Sequence, residues 1–444
     1  VIEHQDEGVK LPHLGEREHF TGDYMYQKTI LDNGLRILTS NINYSQSVSM
    51  LISVGAGSRY EPPELAGLSH FLEHLPFKGT TKWPTARIIS EAIEGVGGIM
   101  NASTDREMTV FWCKVAKPHY KQALAVLLDM ILNPILDPQE MEKEREVIQE
   151  ELRMTYDYPS QLVDLLIDDI LWPDQAMGRD VGGSIDTVKS ISLSDVRSYM
   201  EHQYNPHNTV ISIAGDIEHA AVVEQINDDS HNWAYQETLD WERVSYNNPA
   251  PKVKIDNRAT DQSHLCIGLP GLSLDDPDRF TLSIMNCILG DGMSSRLFQN
   301  LRETQGLVYD VSSSTSNYKD CGSLVIYCGT EPNKVQDSVR SIVSDLKNLL
   351  DPISNSEISK AKEYTKGRLL LRMEDTRSIA SWAGTQELLT EHILDVDQVV
   401  SIIDKVNADD LKRVAEKIIS EDNCKLAIVG PHPSADVFEQ LLSF

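Results

Sequence analysis

Asn208-Thr209-Val210-Ile211-Ser212-Ile213-Ala214-Gly215 is matched without a gap, 215 residues downstream, by Asn423-Cys424-Lys425-Leu426-Ala427-Ile428-Val429-Gly430. Each is a short apolar run closing on glycine, the pattern of a buried strand. Each follows an amphipathic helical pattern, Leu193 to Glu201 in the first case and Ala408 to Ile419 in the second. Asp195-Val196 aligns with Asp410-Leu411 at the same offset, and Leu152-Arg153-Met154 echoes Leu371-Arg372-Met373. The order of elements also recurs: strands, then helices, then a last strand. Such a repeat predicts two domains of similar fold. The expected class is α+β, each domain a mixed or antiparallel β-sheet packed with helices. The boundaries read as 1–230 for the first domain, 231–252 for a linker and 253–444 for the second. Two polar, turn-forming clusters bracket the linker: Asp228-Asp229-Ser230-His231-Asn232 and Asn247-Asn248-Pro249-Ala250-Pro251.

The bulk numbers agree with two domains. The chain has 444 residues, 41% hydrophobic and 24% charged, which is long enough for two cores. It carries 68 acidic against 40 basic residues, a formal charge of −28. That balance argues against nucleic acid, whose phosphates need basic patches. It would suit basic peptides if the acids line a cavity, although a solvated acidic surface is the commoner meaning. No apolar run is long enough to span a bilayer. Val1–Glu7 is polar and acidic, unlike a signal or transit peptide, and the missing initiator Met suggests a removed leader or tag. The six cysteines form no CxxC pair and mostly sit in apolar stretches. They read as buried free thiols in a reducing compartment.

The chemistry gathers in His70-Phe71-Leu72-Glu73-His74. Leu68, Phe71, Leu72 and Leu75 recur at helical spacing and form one apolar face. His70, Glu73 and His74 fall on a different arc, and Pro76 stops or kinks the helix. Two histidines four apart stand one turn apart and can offer two nitrogens to one Zn²⁺. Glu73 can then reach an attacking water without ligating the metal, as a general base requires. H-x-x-E-H is the inverted zinc-peptidase signature. Its chance occurrence in a chain of this length is on the order of a few per cent at average usage. The competing reading is two surface histidines on a charged helix face.

A third protein ligand is needed if water is to hold the fourth position. Asp137-Pro138-Gln139-Glu140 predicts a helix start, with a cap, a proline in the first turn and an acid at the third position. The helix should run from Met141 to about Met154, before Tyr158-Pro159. Val147 and Ile148 mark its expected buried face. Glu144 and Glu151 share that face, where a carboxylate is costly unless paired or on a metal. Glu150 points more to the side, and Glu142 and Glu146 fit a solvated face. Glu151 is therefore the expected ligand, with Glu144 behind it.

At this point the chain resembles the pitrilysin/insulysin family of zinc peptidases. The likeness is to two-domain members such as bacterial processing proteases and the β subunit of mitochondrial processing peptidase. Gly67-Leu68-Ser69-His70-Phe71-Leu72-Glu73-His74-Leu75-Pro76-Phe77-Lys78-Gly79-Thr80 carries it, with Pro76 an unusual filler. Asn101-Ala102-Ser103-Thr104-Asp105-Arg106-Glu107-Met108-Thr109 is similar to the family's next block, a strand edge that pairs with extended substrate. The resemblance implies Asn101 and Ala102 as substrate-binding residues and Phe77 beside the scissile bond. The 76 residues between His74 and Glu151 match the family's separation and favour Glu151 over Glu150. Ser295–Glu303 and Gly306–Tyr309 resemble the family's Arg/Tyr element, which implies that Arg302 and Tyr309 hold substrate or a developing oxyanion. The second half has no H-x-x-E-H, and Leu370 stands where the repeat alignment would place Glu151, so one Zn²⁺ per chain is expected. Gly290-Asp291-Gly292-Met293 is shorter than the glycine-rich loop of the noncatalytic mitochondrial α subunit.

The resemblance further implies endopeptidase hydrolysis of extended peptides, basic ones among them, inside a two-subunit clamshell. A homodimer is expected, with Arg302 and Tyr309 serving the partner's zinc site; a heterodimer with a degenerate paralogue is the alternative. The implied setting is a bacterial cytoplasm, or else a mitochondrial matrix. The competing function is a noncatalytic structural or assembly subunit, like the core proteins of respiratory complexes, whose zinc motifs are commonly eroded.

Overall fold

Among the described residues, six strands form the sheet of the first half: β1 (Gln27–Ile30), β2 (Arg36–Asn41), β3 (Ser47–Val54), β4 (Ile99–Thr104), β5 (Thr109–Ala116) and β6 (Thr209–Gly215). Their order is β1-β2-β6-β3-β5-β4, with β2 and β6 parallel and the other neighbours antiparallel. Five strands form the second sheet: β7 (Val253–Asn257), β8 (Ser263–Pro270), β9 (Val308–Asn317), β10 (Gly322–Thr330) and β11 (Lys425–Gly430). Its order is β7-β11-β8-β10-β9, with β7 and β11 parallel. Without β1 the two topologies coincide. The repeated octapeptides supply β6 and β11, which hold the same place in the two sheets. This computed structural model describes residues 26–246 and 250–443; Val1–Glu7 and Asn247-Asn248-Pro249 lie outside the described residues.

Each sheet is covered on both faces, which is why its central strands are near-continuous apolar runs. Along β3, Val48, Met50, Ile52 and Val54 join the first core together with Leu124, Leu127 and Leu128 of helix Tyr120–Leu132. The second half has its own core, built from residues between Val253 and Leu442. The opposite sheet faces are covered by an exchange. Helix Thr376–Thr390 lies on β3 and β6 of the first sheet, whereas helix Pro159–Leu171 lies on β8 and β11 of the second. Leu162, Val163, Ile167, Ile170 and Leu171 are buried in that second contact. Each such side chain contributes roughly 1.5–3 kcal/mol of transfer free energy, so the exchange ties the halves together far more firmly than a linker could. The helix comes close because β8 carries Gly268 beneath it. A Cβ there would stand 2.7 Å from Ile167 Cγ1.

Charge pairs join the halves at the same seam. Arg59, only 3% exposed, is 2.5 Å from Glu107 and 2.5 Å from Asp320. It also donates to the Glu242 carbonyl at 3.1 Å and lies 3.8 Å over the Trp241 ring. A buried cation is tolerable only with such partners. Residues 231–246 are largely exposed but tied to both halves at intervals: Val244 N–H donates to Asp320 and Leu239 N–H to Gln203. All six cysteines are free and buried. Among the described residues no helix is long and apolar enough to cross a membrane.

Candidate metal centre

The motif helix spans Leu68–His74. Its start is fixed from a distance. Gly67 adopts φ +94°, a conformation natural to glycine, where a Cβ would meet the Gly182 carbonyl at 2.3 Å. Glu61 then accepts hydrogen bonds from the N–H groups of Gly67 (2.8 Å) and Ser69 (2.5 Å). A carboxylate here satisfies donors that the first turn leaves unpaired and complements the helix dipole. Ser69 Oγ lies 2.7 Å from the Tyr199 hydroxyl. At the other end Pro76 has no N–H to give, and the chain tightens into a 3₁₀ turn, Leu75–Lys78. Leu68, Phe71, Leu72 and Leu75 are buried, so His70, Glu73 and His74 project from the remaining arc.

The glutamate-rich helix runs Pro138–Asp157, capped by Asp137 accepting from Gln139 N–H (2.7 Å) and Glu140 N–H (3.1 Å). Its buried stripe is Met141, Glu144, Ile148 and Leu152, at spacings of three and four. Val147, expected on that face, is 43% exposed. The stripe passes through Ile148 and takes in Glu144, which leaves Val147 on the flank. Glu142 and Glu146 are exposed, and Glu150 bonds Arg153 at the surface.

These two helices bring His70, His74 and Glu151 together. His70 Nε2 and His74 Nε2 are 3.4 Å apart, and Glu151 Oε2 is 3.8 Å from each. Three donors at ordinary zinc bond lengths around a tetrahedral ion would stand roughly 3.3–3.5 Å apart. Two imidazoles and one carboxylate at these separations fit a zinc ion. Among the described residues, this is the group whose donor atoms could share one metal. Glu144, 6% exposed, faces His74 Nδ1 at 3.1 Å through one oxygen and Lys78 Nζ at 2.6 Å through the other. An ionised carboxylate can only accept, so His74 donates to it through Nδ1, which turns Nε2 toward the other two groups. Burial, then the neighbouring His74, pulls the pKa of His70 down to about 4. His70 is thus neutral at pH 7, the state a metal ligand needs.

Glu73 stands beside this cluster but outside it. Its Oε2 accepts from Thr104 Oγ1 at 2.5 Å. Burial raises its pKa, against the lowering effect of the Thr104 hydrogen bond. Thr104 ends β4, an edge strand of the first sheet among the described residues. On that edge the Ala102 N–H is held by its neighbour's Asn101 Oδ1 at 2.8 Å. Phe77 is half-buried, 6.1 Å from Phe111 in a stacked pair.

Arg302 and Tyr309 are brought together in the second half of the chain. The Arg302 guanidinium lies 5.7 Å from the Tyr309 ring and 4.8 Å from that of Phe298. Tyr309 is 74% exposed. Arg302 sits in a π-helical segment, Phe298–Thr304, an irregularity frequent at functional sites. Three contributors had no assigned role in the sequence reading. Lys78, four residues after His74, carried a weak signal as a one-turn neighbour. Thr104 lies in the block that the resemblance marks as a substrate-pairing edge, but nothing in the sequence linked it to Glu73, and Glu61 carried no signal because its partners lie across a turn.

The first half, residues 36–184, matches a family profile described as insulinase (peptidase family M16). Residues 190–364 match one described as the peptidase M16 inactive domain. An uncharacterized zinc protease of Bacillus subtilis is 35% identical over 92% of this chain and 98% of its own length. Another, of Streptomyces coelicolor, is 34% identical over 91% of this chain and 89% of its own. In fold, the chain is similar to a protease from Helicobacter pylori, with a TM-score of 0.84 and 20% identity over 91% of this chain and 99% of that one. A peptidase M16 inactive domain from Pseudomonas fluorescens also gives 0.84, at 17% identity over 92% and 98%.

Proposed function

This chain belongs to the insulinase (M16) peptidase family, and from that premise we propose that it is an active zinc endopeptidase cleaving extended or unfolded peptides. The observation that carries this is the convergence of His70, His74 and Glu151 with Glu73 poised beside them. His70, His74 and Glu151 would hold one Zn²⁺ per chain, with Glu144 and Lys78 orienting His74. Zinc, when bound, supplies Lewis acidity toward the scissile carbonyl. Glu73 takes the proton from the attacking water and delivers it to the leaving amine. Thr104 fixes the angle at which that carboxylate points. Substrate adds as a strand along β4, its carbonyl taking the Ala102 N–H from Asn101 Oδ1. Phe77 bounds an apolar pocket near the cleaved bond.

In this reading residues 1–230 form the zinc-binding domain and 253–444 its noncatalytic counterpart. Arg302 and Tyr309 act on a partner chain's site within a homodimer, where a cation and a phenol can hold developing negative charge. The surplus of acidic residues favours basic peptides, and free buried cysteines suit a reducing bacterial cytoplasm.

The test is metal content together with cleavage of a quenched basic peptide. One zinc per chain and cleavage abolished by chelator are expected. A well-folded, metal-free, inactive protein would make the chain a noncatalytic subunit instead. The shared-site arrangement has a separate check. Inactive Glu73→Gln and Tyr309→Phe chains, mixed and allowed to exchange subunits, should recover about a quarter of wild-type activity, since half the dimers then hold one intact site. No recovery despite exchange would mean that each chain is self-contained.

A further inference from the structure

Two polar atoms near the histidine cluster are buried and, among the described residues, have no hydrogen-bonding partner: Nδ1 of His70 and Oδ2 of Asp180. They flank one residue, Gly182. Its N–H donates to the other Asp180 oxygen at 2.8 Å. A Cβ placed on Gly182 would stand 3.4 Å from that oxygen and 3.7 Å from His70 Nδ1. The loop that carries Asp180 is docked on the start of the motif helix. Gly183 N–H closes the turn onto the Asp180 carbonyl at 2.9 Å, the Gly182 carbonyl abuts Gly67, and Thr187 Oγ1 donates to the Ala66 carbonyl at 2.7 Å. The two unpartnered atoms therefore sit on segments packed against each other.

Their chemistry is complementary. A histidine that gives Nε2 to a metal carries its proton on Nδ1 and needs an acceptor there. Asp180 Oδ2 is an acceptor with nothing to accept. His74 already has its carboxylate in Glu144; His70 is the donor that lacks one. We propose that Asp180 is the positioning carboxylate of His70, its Oδ2 accepting the Nδ1–H hydrogen bond once zinc is held at Nε2. The inference rests on reading His70 as a zinc donor. It makes the two histidines equivalent, each oriented by its own acid: Glu144 from the glutamate-rich helix and Asp180 from the loop before residue 184.

Asp180→Asn isolates this role. The amide oxygen still accepts from Gly182, so the loop keeps its turn, but the other position becomes a donor and cannot take Nδ1–H. Zinc affinity is read by competition with a chromophoric chelator, beside the unfolding temperature of the metal-free protein. The variant should keep its metal-free unfolding temperature and lose zinc affinity by ~10–100-fold, as expected for a group that orients a ligand. Zinc affinity within about twofold of wild type would overturn the proposal, since an orienting acid has a larger effect. Wild-type protein that binds no zinc would overturn it together with the function on which it rests, and is distinguished by being measured first. A second readout covers a variant that fails to fold. In zinc-loaded wild type, the His70 Nδ1 proton should resonate far downfield and exchange slowly; a rapidly exchanging Nδ1 proton would also overturn the assignment.

Discussion

Glu73→Gln is expected to lower kcat/KM by ~10²–10⁴-fold, the range for loss of a general base, with zinc content and unfolding temperature unchanged. The substitution is nearly isosteric. Gln keeps an oxygen to accept from Thr104 Oγ1, which lies 2.5 Å from Glu73 Oε2 in the native chain. What it removes is the ability to take a proton and give it back. Burial supports that ability, because it raises the carboxyl pKa toward the range where a proton can be both accepted and released. The three outcomes are separable by measuring zinc and turnover together. Loss of turnover with zinc retained assigns Glu73 to proton transfer. Loss of both would make it a ligand. Near wild-type turnover would sink the role altogether.

The fold was legible where burial is symmetrical. β6 and β11 are buried along nearly their whole length, so they read as mostly apolar runs, and their duplication exposed the two-sheet plan. The helix exchange was not legible. Helices Pro159–Leu171 and Thr376–Thr390 show apolar faces, but no local pattern says which sheet such a face will meet. The same limit applies to Val147. Glu144 and Ile148 were expected on one buried face together with Val147, but the stripe runs through Met141, Glu144, Ile148 and Leu152, and only the segments that pack on the helix decide that Val147 falls on its flank. Only the partners of Glu144, which come from another helix, make its burial tolerable. In the site, residues spaced within one helical turn were readable, as His70, Glu73 and His74 were. Thr104, Glu61 and Asp180 reach it through sheet edges, turns and loops, so their places follow from tertiary contact alone.

Glu151 and Glu150 test that boundary most sharply, because they are chain neighbours on one helix. Glu151→Gln is expected to weaken zinc binding by well beyond the ~100-fold that bounds the loss of an orienting group, enough to leave purified protein largely metal-free. Glu150→Gln is expected to change neither zinc affinity nor stability beyond about 0.5 kcal/mol, as for ordinary surface substitutions. Successive residues on an α-helix point in well-separated directions. Glu151 Oε2 ends 3.8 Å from both imidazole nitrogens, whereas the Glu150 side chain is 73% exposed and held by Arg153. An amide retains one neutral oxygen at position 151 but lacks the charge that draws a divalent cation from water. The loss should appear as metal content on purification and as affinity by chelator competition. The metal-free variant should retain its unfolding temperature, because Glu151 is half-exposed and anchors no core contact. If Glu150→Gln proved the more damaging change, the ligand would be Glu150, and the helix would have to turn by about one residue's rotation on metal binding.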